Sequence, residues 1–94
     1  YLAVISLGEK LGGKIINIST GKGTILENVA QIIIQQTKAK VAVDIGSFPS
    51  RDGEVLSLVG SAKNAEKLLK WKAKYSLEQG IRDTISWTKK ALSL

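Results

Sequence analysis

The chain of 94 residues contains no cysteine, no histidine and no methionine. Without cysteine it can form neither a disulfide framework nor a cysteine-ligated zinc site. Without histidine it lacks the commonest metal ligand and the side chain that most often moves protons near neutral pH. We therefore predict no metal site and no catalytic residue within this chain.

Long apolar runs and targeting signals are also absent. No run approaches the length of a membrane span and no secretory signal pattern opens the chain, so we expect a cytoplasmic protein with no membrane partner. Because there is no methionine, Tyr1 is not a native start. Residues 1–11 are typical of the end of a helix without the cap that would begin it, which indicates a fragment or a processed chain.

The residues that are present predict one small domain covering residues 1–94, with 44% apolar residues available for a core. Apolar runs rich in β-branched residues alternate with stretches of helical periodicity, which predicts a small mixed α/β lobe. The predicted strands are residues 14–19, 41–45 and 55–59, and the predicted helices are residues 1–11, 25–38, 61–70 and 76–92. The last helix has the clearest start, because Ser76 and Gln79 have the spacing of a capping box.

The segment IINISTGKGTILENVAQII, residues 15–33, joins an apolar run to a helix through glycines, as phosphate-binding loops do. It fails the nucleoside triphosphate pattern, because Gly23 stands where a serine or threonine is required. It also fails the dinucleotide pattern, because Leu26 stands where a third glycine is required. We therefore interpret Gly21 and Gly23 as turn residues and Thr24 as the cap of the following helix.

The helix predicted at residues 25–38 has a broad apolar surface. Its polar side chains form one narrow stripe, made of Glu27, Asn28, Gln31 and Gln35. Two interpretations stay open: the helix is well buried in a small core, or it packs against a further part of the protein.

Positive charge is concentrated in one segment of a chain whose formal net charge is +6. The segment, residues 63–74, carries the lysines Lys63, Lys67, Lys70, Lys72 and Lys74. Together with Trp71 and Tyr75 they form a pattern that nucleic-acid binding proteins also show. We favour the interpretation in which the lysines are a solvated helix face and Trp71 is an apolar anchor, and we predict no nucleic-acid partner.

The loop GSFPSRDGEV, residues 46–55, is neither periodic nor core-like. Arg51 lies there between Pro49 and Gly53, and its guanidinium offers several donors in one plane, which suits phosphate oxygens. Glu54 can accept hydrogen bonds from hydroxyl groups. The alternative is that Arg51 is an ordinary solvated surface side chain.

Taken in order, three stretches resemble the C-terminal part of the extended short-chain dehydrogenase/reductase family, the NAD-dependent nucleotide-sugar epimerases and dehydratases. IINISTGKGTILENVAQII is similar to that family's Asn-Ile-Gly-Thr-Gly strand, turn and helix. GSFPSRDGEV is similar to its Gly-x-x-Pro-x-Arg-x-Gly-Glu-Val segment. SAKNAEKLLKWKAKYSLEQGIRDTISW is similar to its Asp-x-x-Lys-Ala, Leu-Gly-Trp-x-Pro and Ser-Leu-Glu-Glu-Gly-Leu series, and the likeness extends over residues 1–92.

The resemblance implies the substrate-binding C-terminal lobe of a larger Rossmann-type enzyme. It implies that Arg51 binds the diphosphate of a nucleotide sugar and that Glu54 meets the ribose. The family's cofactor-binding glycine motif and its catalytic Tyr-x-x-x-Lys have no counterpart here. The resemblance therefore implies that NAD is bound by a missing N-terminal domain, and that these 94 residues alone are inactive and bind no NAD. We also expect the isolated chain to self-associate through its apolar faces.

The chain departs from the family pattern at several positions. Ser19 and Lys70 stand where the family has glycine, Ser61 replaces an aspartate and Ala73 replaces a proline. None of these changes removes Arg51 or Glu54, but they leave the substrate of the parent enzyme open. An α/β protein-interaction module that kept no substrate site is the alternative function.

Overall fold

The computed structural model describes all residues 1–94 and consists of helices joined by irregular segments. The regular helices are α1 (Leu2–Leu7), α2 (Leu26–Thr37) and α3 (Leu77–Ala91). A 3-10 helix covers Gly8–Leu11 and a π-helical turn covers Ala65–Leu69. No helix combines the length and the apolar character that crossing a bilayer requires.

The prediction of a mixed α/β lobe is wrong, because the structure contains no strand and no sheet. Residues 14–19, 41–45 and 55–59 are irregular, and no backbone hydrogen bond joins any two of these segments. An apolar β-branched run becomes a strand only when a neighbouring segment supplies the ladder of hydrogen bonds. The composition of these segments is therefore that of strands, but the pairing that defines a Rossmann-type lobe is absent.

Two compact units make up the chain. The first comprises Tyr1–Gly23 and Ser57–Lys74, and the second comprises Thr24–Leu56 and Tyr75–Leu94. Each unit is formed by two segments that are distant in sequence and contact each other.

The first unit is organised around Ala65, the one buried residue of the chain. The Ala65 carbonyl accepts hydrogen bonds from the backbone amides of Lys70 and Trp71, which closes the π-helical turn. One residue earlier, Asn64 Nδ2 donates to the Ile15 carbonyl at 3.0 Å and ties the turn to the first apolar segment. The predicted helix at residues 61–70 thus exists only in part and is irregular.

Two irregular segments of the first unit approach closely at Ser19 and Gly60. A Cβ atom at Gly60 would lie 2.8 Å from the Ser19 Cβ, closer than two non-bonded carbon atoms come. Gly60 therefore leaves the room that the Ser19 side chain occupies.

The second unit contains α2 and α3, which lie side by side. Gln36 Nε2, near the end of α2, donates to the Glu78 carbonyl in the first turn of α3 at 3.1 Å. An apolar groove of about 410 Å³ lies between them. Its lining residues are Ile33, Leu77, Gly80, Ile81, Thr84 and Ile85.

The starts of α2 and α3 differ in how well the sequence predicts them. The capping box of α3 is confirmed, because the Gln79 amide donates to Ser76 Oγ at 3.2 Å and the Ser76 amide donates to Gln79 Oε1 at 3.0 Å. The prediction that Thr24 caps α2 is wrong. The N-cap position is Ile25, which offers no side-chain acceptor, so Thr24 lies one residue too early to cap the helix.

The apolar surface of α2 is not enclosed by the rest of the chain. None of its residues is buried, and Leu26 is 83% exposed while the preceding Ile25 is 68% exposed. Of the two interpretations of this helix, burial in a small core does not hold in this structure.

Candidate functional site

The two residues singled out for substrate binding lie at the ends of one tight turn, Arg51-Asp52-Gly53-Glu54. The Glu54 amide donates to the Arg51 carbonyl at 3.1 Å, which is the bond that closes a four-residue turn. Gly53, the third residue, has a φ of 77°, in the left-handed region that glycine adopts without strain. A positive φ at this position is the mark of a type II turn.

The Glu54 side chain adds a second closure to this turn. Its Oε2 atom accepts a hydrogen bond from the Arg51 amide at 3.1 Å. The backbone of Arg51 is thus bonded to Glu54 through both its amide and its carbonyl. This use of the Glu54 carboxylate was not part of the sequence-based interpretation, which gave that group only a role towards ribose.

Both side chains are exposed to solvent. An exposed guanidinium presents five N–H donors in a fixed plane and can form two parallel hydrogen bonds with a phosphate group. The Glu54 carboxylate has a second oxygen and further lone pairs beyond the contact with the Arg51 amide. The turn therefore presents two groups three residues apart. The guanidinium of Arg51 can bind an anion, and the carboxylate of Glu54 can accept a hydrogen bond from a hydroxyl group.

The glycine turn of residues 19–24 satisfies its own backbone amides. The Gly21 amide donates to Ser19 Oγ and the Lys22 amide donates to Thr20 Oγ1, each at 3.3 Å. A phosphate-binding loop needs amides that point at the ligand and are free to bind it. These contacts agree with the interpretation of this segment as a structural turn.

A polar cavity of about 260 Å³ adjoins the glycine turn in the first unit. Its lining residues are Thr20, Gly21, Gly60, Ser61, Ala62, Lys63 and Glu66. One lysine and one glutamate contribute opposite charges, so the lining has no excess of positive charge that would select an anion. We assign no ligand to it.

The basic segment presents its lysines to solvent, and all five, Lys63, Lys67, Lys70, Lys72 and Lys74, are exposed. Trp71 is half-buried instead. It lines an apolar cavity of about 480 Å³ with Leu69, Ile16 and Val4. This placement agrees with the interpretation of Trp71 as an apolar anchor rather than an open stacking surface.

Asn64 is a structural residue that the sequence interpretation missed. Its side chain spans from the π-helical turn to the Ile15 carbonyl, a contact between residues that are 49 positions apart. Asparagine is often used to bond backbone groups. That general preference does not identify a partner so distant in sequence.

Sequence comparison relates the chain to one class of enzymes. The chain is homologous to nucleotide-sugar epimerases, which confirms the resemblance found in its three stretches. No family model matches the chain. No solved structure matches it either.

Three of the relatives are UDP-glucose 4-epimerases of plants. UDP-glucose 4-epimerase 4 of Oryza sativa subsp. japonica is 36% identical over 96% of this chain and 27% of its own length. UDP-glucose 4-epimerase 1 of the same plant is 39% identical over 87% of this chain and 23% of its own length. The bifunctional UDP-glucose 4-epimerase and UDP-xylose 4-epimerase 1 of Pisum sativum is 32% identical over 86% of this chain and 23% of its own length. The chain thus spans about a quarter of the length of the relatives it matches.

Proposed function

We propose that residues 1–94 are the substrate-holding C-terminal part of a nucleotide-sugar epimerase or dehydratase. Arg51 binds the diphosphate of the nucleotide sugar, and Glu54 accepts a hydrogen bond from its ribose. The observation that supports this most directly is the closed Arg51–Glu54 turn, which exposes both side chains. The homology to UDP-glucose 4-epimerases supports a uridine diphosphate sugar as the substrate.

The chemistry of the turn fits this role. A diphosphate carries negative charge on oxygens that a planar guanidinium can contact in pairs, and charge-assisted bonds of this kind are stronger than neutral ones. Binding residues are commonly found on loops, and Arg51 lies in the irregular segment between α2 and the π-helical turn. Within the chain Arg51 is hydrogen-bonded only through its backbone, and its exposed guanidinium donors are available to a ligand.

The residues of this chain do not fit the NAD of the epimerase family. The amides of Gly21 and Lys22 already donate to neighbouring hydroxyls, and Leu26 occupies the place of the third glycine of a dinucleotide fingerprint. NAD is accordingly assigned to an N-terminal domain, and that domain is the partner that covers the exposed apolar surface of α2. We assign to this chain no step in the transfer of hydride.

The direct test replaces Arg51 in the full-length protein. Arg51→Ala should weaken the binding of a UDP-sugar by about 1.5–3 kcal/mol, the usual contribution of a hydrogen bond to a charged group. Arg51→Lys should restore only part of this loss, because lysine keeps the charge and loses the planar donors. Isothermal titration calorimetry gives the affinities and differential scanning calorimetry gives the melting temperatures.

Arg82 supplies the matched control, since it is the only other arginine of the chain and is also exposed, on α3. Arg82→Ala removes the same charge and should leave the affinity for the UDP-sugar nearly unchanged. If Arg51→Ala and Arg82→Ala weaken the binding of the UDP-sugar equally, net charge alone attracts the ligand. An unchanged affinity of Arg51→Ala, or unfolding as its main effect, would show that Arg51 is not a binding residue.

The second candidate is a protein-interaction module without a substrate site. The exposure of Leu26 and Ile25 favours this candidate, because solvent-exposed apolar side chains of this size commonly mark contact surfaces. The two candidates differ at Arg51: an interaction module binds its partner through α2 and is insensitive to Arg51→Ala.

A further inference from the structure

We propose that Glu54 is a positioning residue for Arg51, in addition to any contact with ribose. Its carboxylate holds the Arg51 amide and so fixes the turn from which the guanidinium reaches the diphosphate. The inference rests on the proposed function of Arg51 and deepens it. It predicts that, at equal charge, losing the acceptor at position 54 weakens the binding of the phosphate part of the ligand, which ribose contacts alone would not explain.

Three restraints act on the same four residues. The Glu54 amide bonds the Arg51 carbonyl at 3.1 Å, the Glu54 Oε2 atom accepts from the Arg51 amide at 3.1 Å, and Gly53 supplies the positive φ of 77°. The first bond alone would leave the Arg51 amide free to rotate away with the preceding residue. The side-chain bond adds a second link between the two residues. Glu54 then holds both the amide and the carbonyl of Arg51, so the backbone is restrained on both sides of the Arg51 Cα.

This restraint affects binding through conformational freedom. An exposed loop arginine loses backbone and side-chain freedom when it binds an anion, and that loss opposes binding. Restraining the Arg51 backbone before the ligand arrives removes part of the loss. Because both residues are exposed, water competes for the hydrogen bond and the effect is moderate.

The charge of Glu54 acts in the opposite direction, since a carboxylate near an anion repels it. Replacing Glu54 by alanine therefore combines a favourable loss of charge with an unfavourable loss of the turn closure. Glu54→Gln separates the two effects, because the glutamine carbonyl oxygen can accept the Arg51 amide while the charge is removed. Alanine and glutamine are both uncharged at this position, but only glutamine has a side-chain oxygen that can accept the hydrogen bond of the Arg51 amide.

The test compares these two variants in the full-length protein with inorganic pyrophosphate, a ligand that has no ribose. Glu54→Gln should bind pyrophosphate roughly two- to tenfold more tightly than Glu54→Ala, the range expected for one solvent-exposed hydrogen bond. The exchange of the Arg51 amide with solvent, measured by NMR, should be slowed in the wild type and in Glu54→Gln and fast in Glu54→Ala. A purely ribose-binding glutamate would give equal pyrophosphate affinities for the two variants.

Gly53→Ala provides a second variant that leaves Glu54 in place. An alanine Cβ at this position meets no heavy atom within 4 Å, so the substitution strains only the backbone, at a φ of 77°. Because it changes no charge, it should weaken pyrophosphate binding relative to the wild type, and an affinity equal to that of the wild type counts against the proposal.

The outcomes separate this inference from the proposed function. Equal pyrophosphate affinities of Glu54→Gln and Glu54→Ala, in a protein whose wild type binds pyrophosphate, overturn the positioning role and leave the role of Arg51 intact. A wild-type protein that binds neither pyrophosphate nor a UDP-sugar overturns both the positioning role of Glu54 and the proposed function of Arg51.

Discussion

Two lysines adopt a backbone conformation that lysine normally avoids. Lys38 has a φ of 56° and follows α2, while Lys70 has a φ of 52° and follows the π-helical turn. Both residues end a helical segment in the left-handed conformation, which glycine adopts most easily. Lys70 is also a position where the resembled family pattern has glycine, the residue that adopts this conformation without strain.

This geometry predicts that Lys70→Gly stabilises the chain. A side chain with a Cβ atom in the left-handed region costs about 1–2 kcal/mol, and the greater freedom of glycine in the unfolded state offsets part of the gain. We expect a net increase of about 0.5–1 kcal/mol in the free energy of unfolding, measured by urea denaturation.

Lys67→Gly is the matched control for this prediction. Lys67 lies within the π-helical turn that Lys70 follows, is exposed and does not have a positive φ. Its replacement removes the same charge and should destabilise the chain by about 1 kcal/mol. If both glycine variants destabilise the chain to the same extent, the left-handed conformation of Lys70 is not maintained in solution.

The turn that carries Arg51 was partly predictable at this scale. Arg-Asp-Gly-Glu has glycine at the third turn position, a common sign of a type II turn, and the spacing of Arg51 and Glu54 resembles that of the epimerase family. The bond from the Arg51 amide to the Glu54 carboxylate was not predictable, because it depends on one side-chain rotamer. Lys70 was not predictable either, since lysine favours the right-handed helical region.

At the scale of elements, a prediction from sequence succeeds where the contacts that determine the element are local in sequence. The start of α3 is set by Ser76 and Gln79, which bond each other within one turn, so the sequence was sufficient to predict it. The strands predicted at residues 14–19 and 55–59 depend on partners far away in the sequence. Their β-branched composition favours an extended chain but does not supply those partners, so the predicted sheet is absent.

Ser76→Ala tests the contribution of the α3 capping box. The substitution removes the acceptor of the Gln79 amide, and N-cap losses of this kind cost about 1 kcal/mol. We expect a lower melting temperature and less helix by circular dichroism. Ser86→Ala, at an exposed position within the same helix, should be neutral or slightly stabilising because alanine is the better helix former. Equal effects at the two serines would mean that the cap does not limit the stability of α3.

At the scale of the whole molecule, the main feature is the amount of surface that the chain leaves uncovered. It exposes 8750 Å², whereas two separate compact units of the same total mass would together expose about 6,400 Å². Ala65 is its only buried hydrophobic residue. At about 25 cal/mol per Å² of apolar surface, covering even part of this excess would favour association by several kcal/mol.

We therefore expect the 94-residue chain to self-associate when it is purified alone. The average mass measured by light scattering should exceed that of a 10.1 kDa monomer and should rise with concentration. Leu26→Glu should reduce this association, because Leu26 is 83% exposed at the start of α2 and a glutamate there also suits the helix N-terminus.

Thr24→Glu separates the loss of apolar surface from the change of charge. It lowers the net charge by the same single unit at a neighbouring exposed position but removes no large apolar side chain. If apolar contact through α2 causes the association, Leu26→Glu should shift the light-scattering mass towards the monomer much more than Thr24→Glu does. Equal shifts would attribute the association to charge. A wild-type chain that stays monomeric at millimolar concentration would mean that in solution it covers these isoleucines and leucines itself, and α2 would then be an internal helix rather than a contact surface.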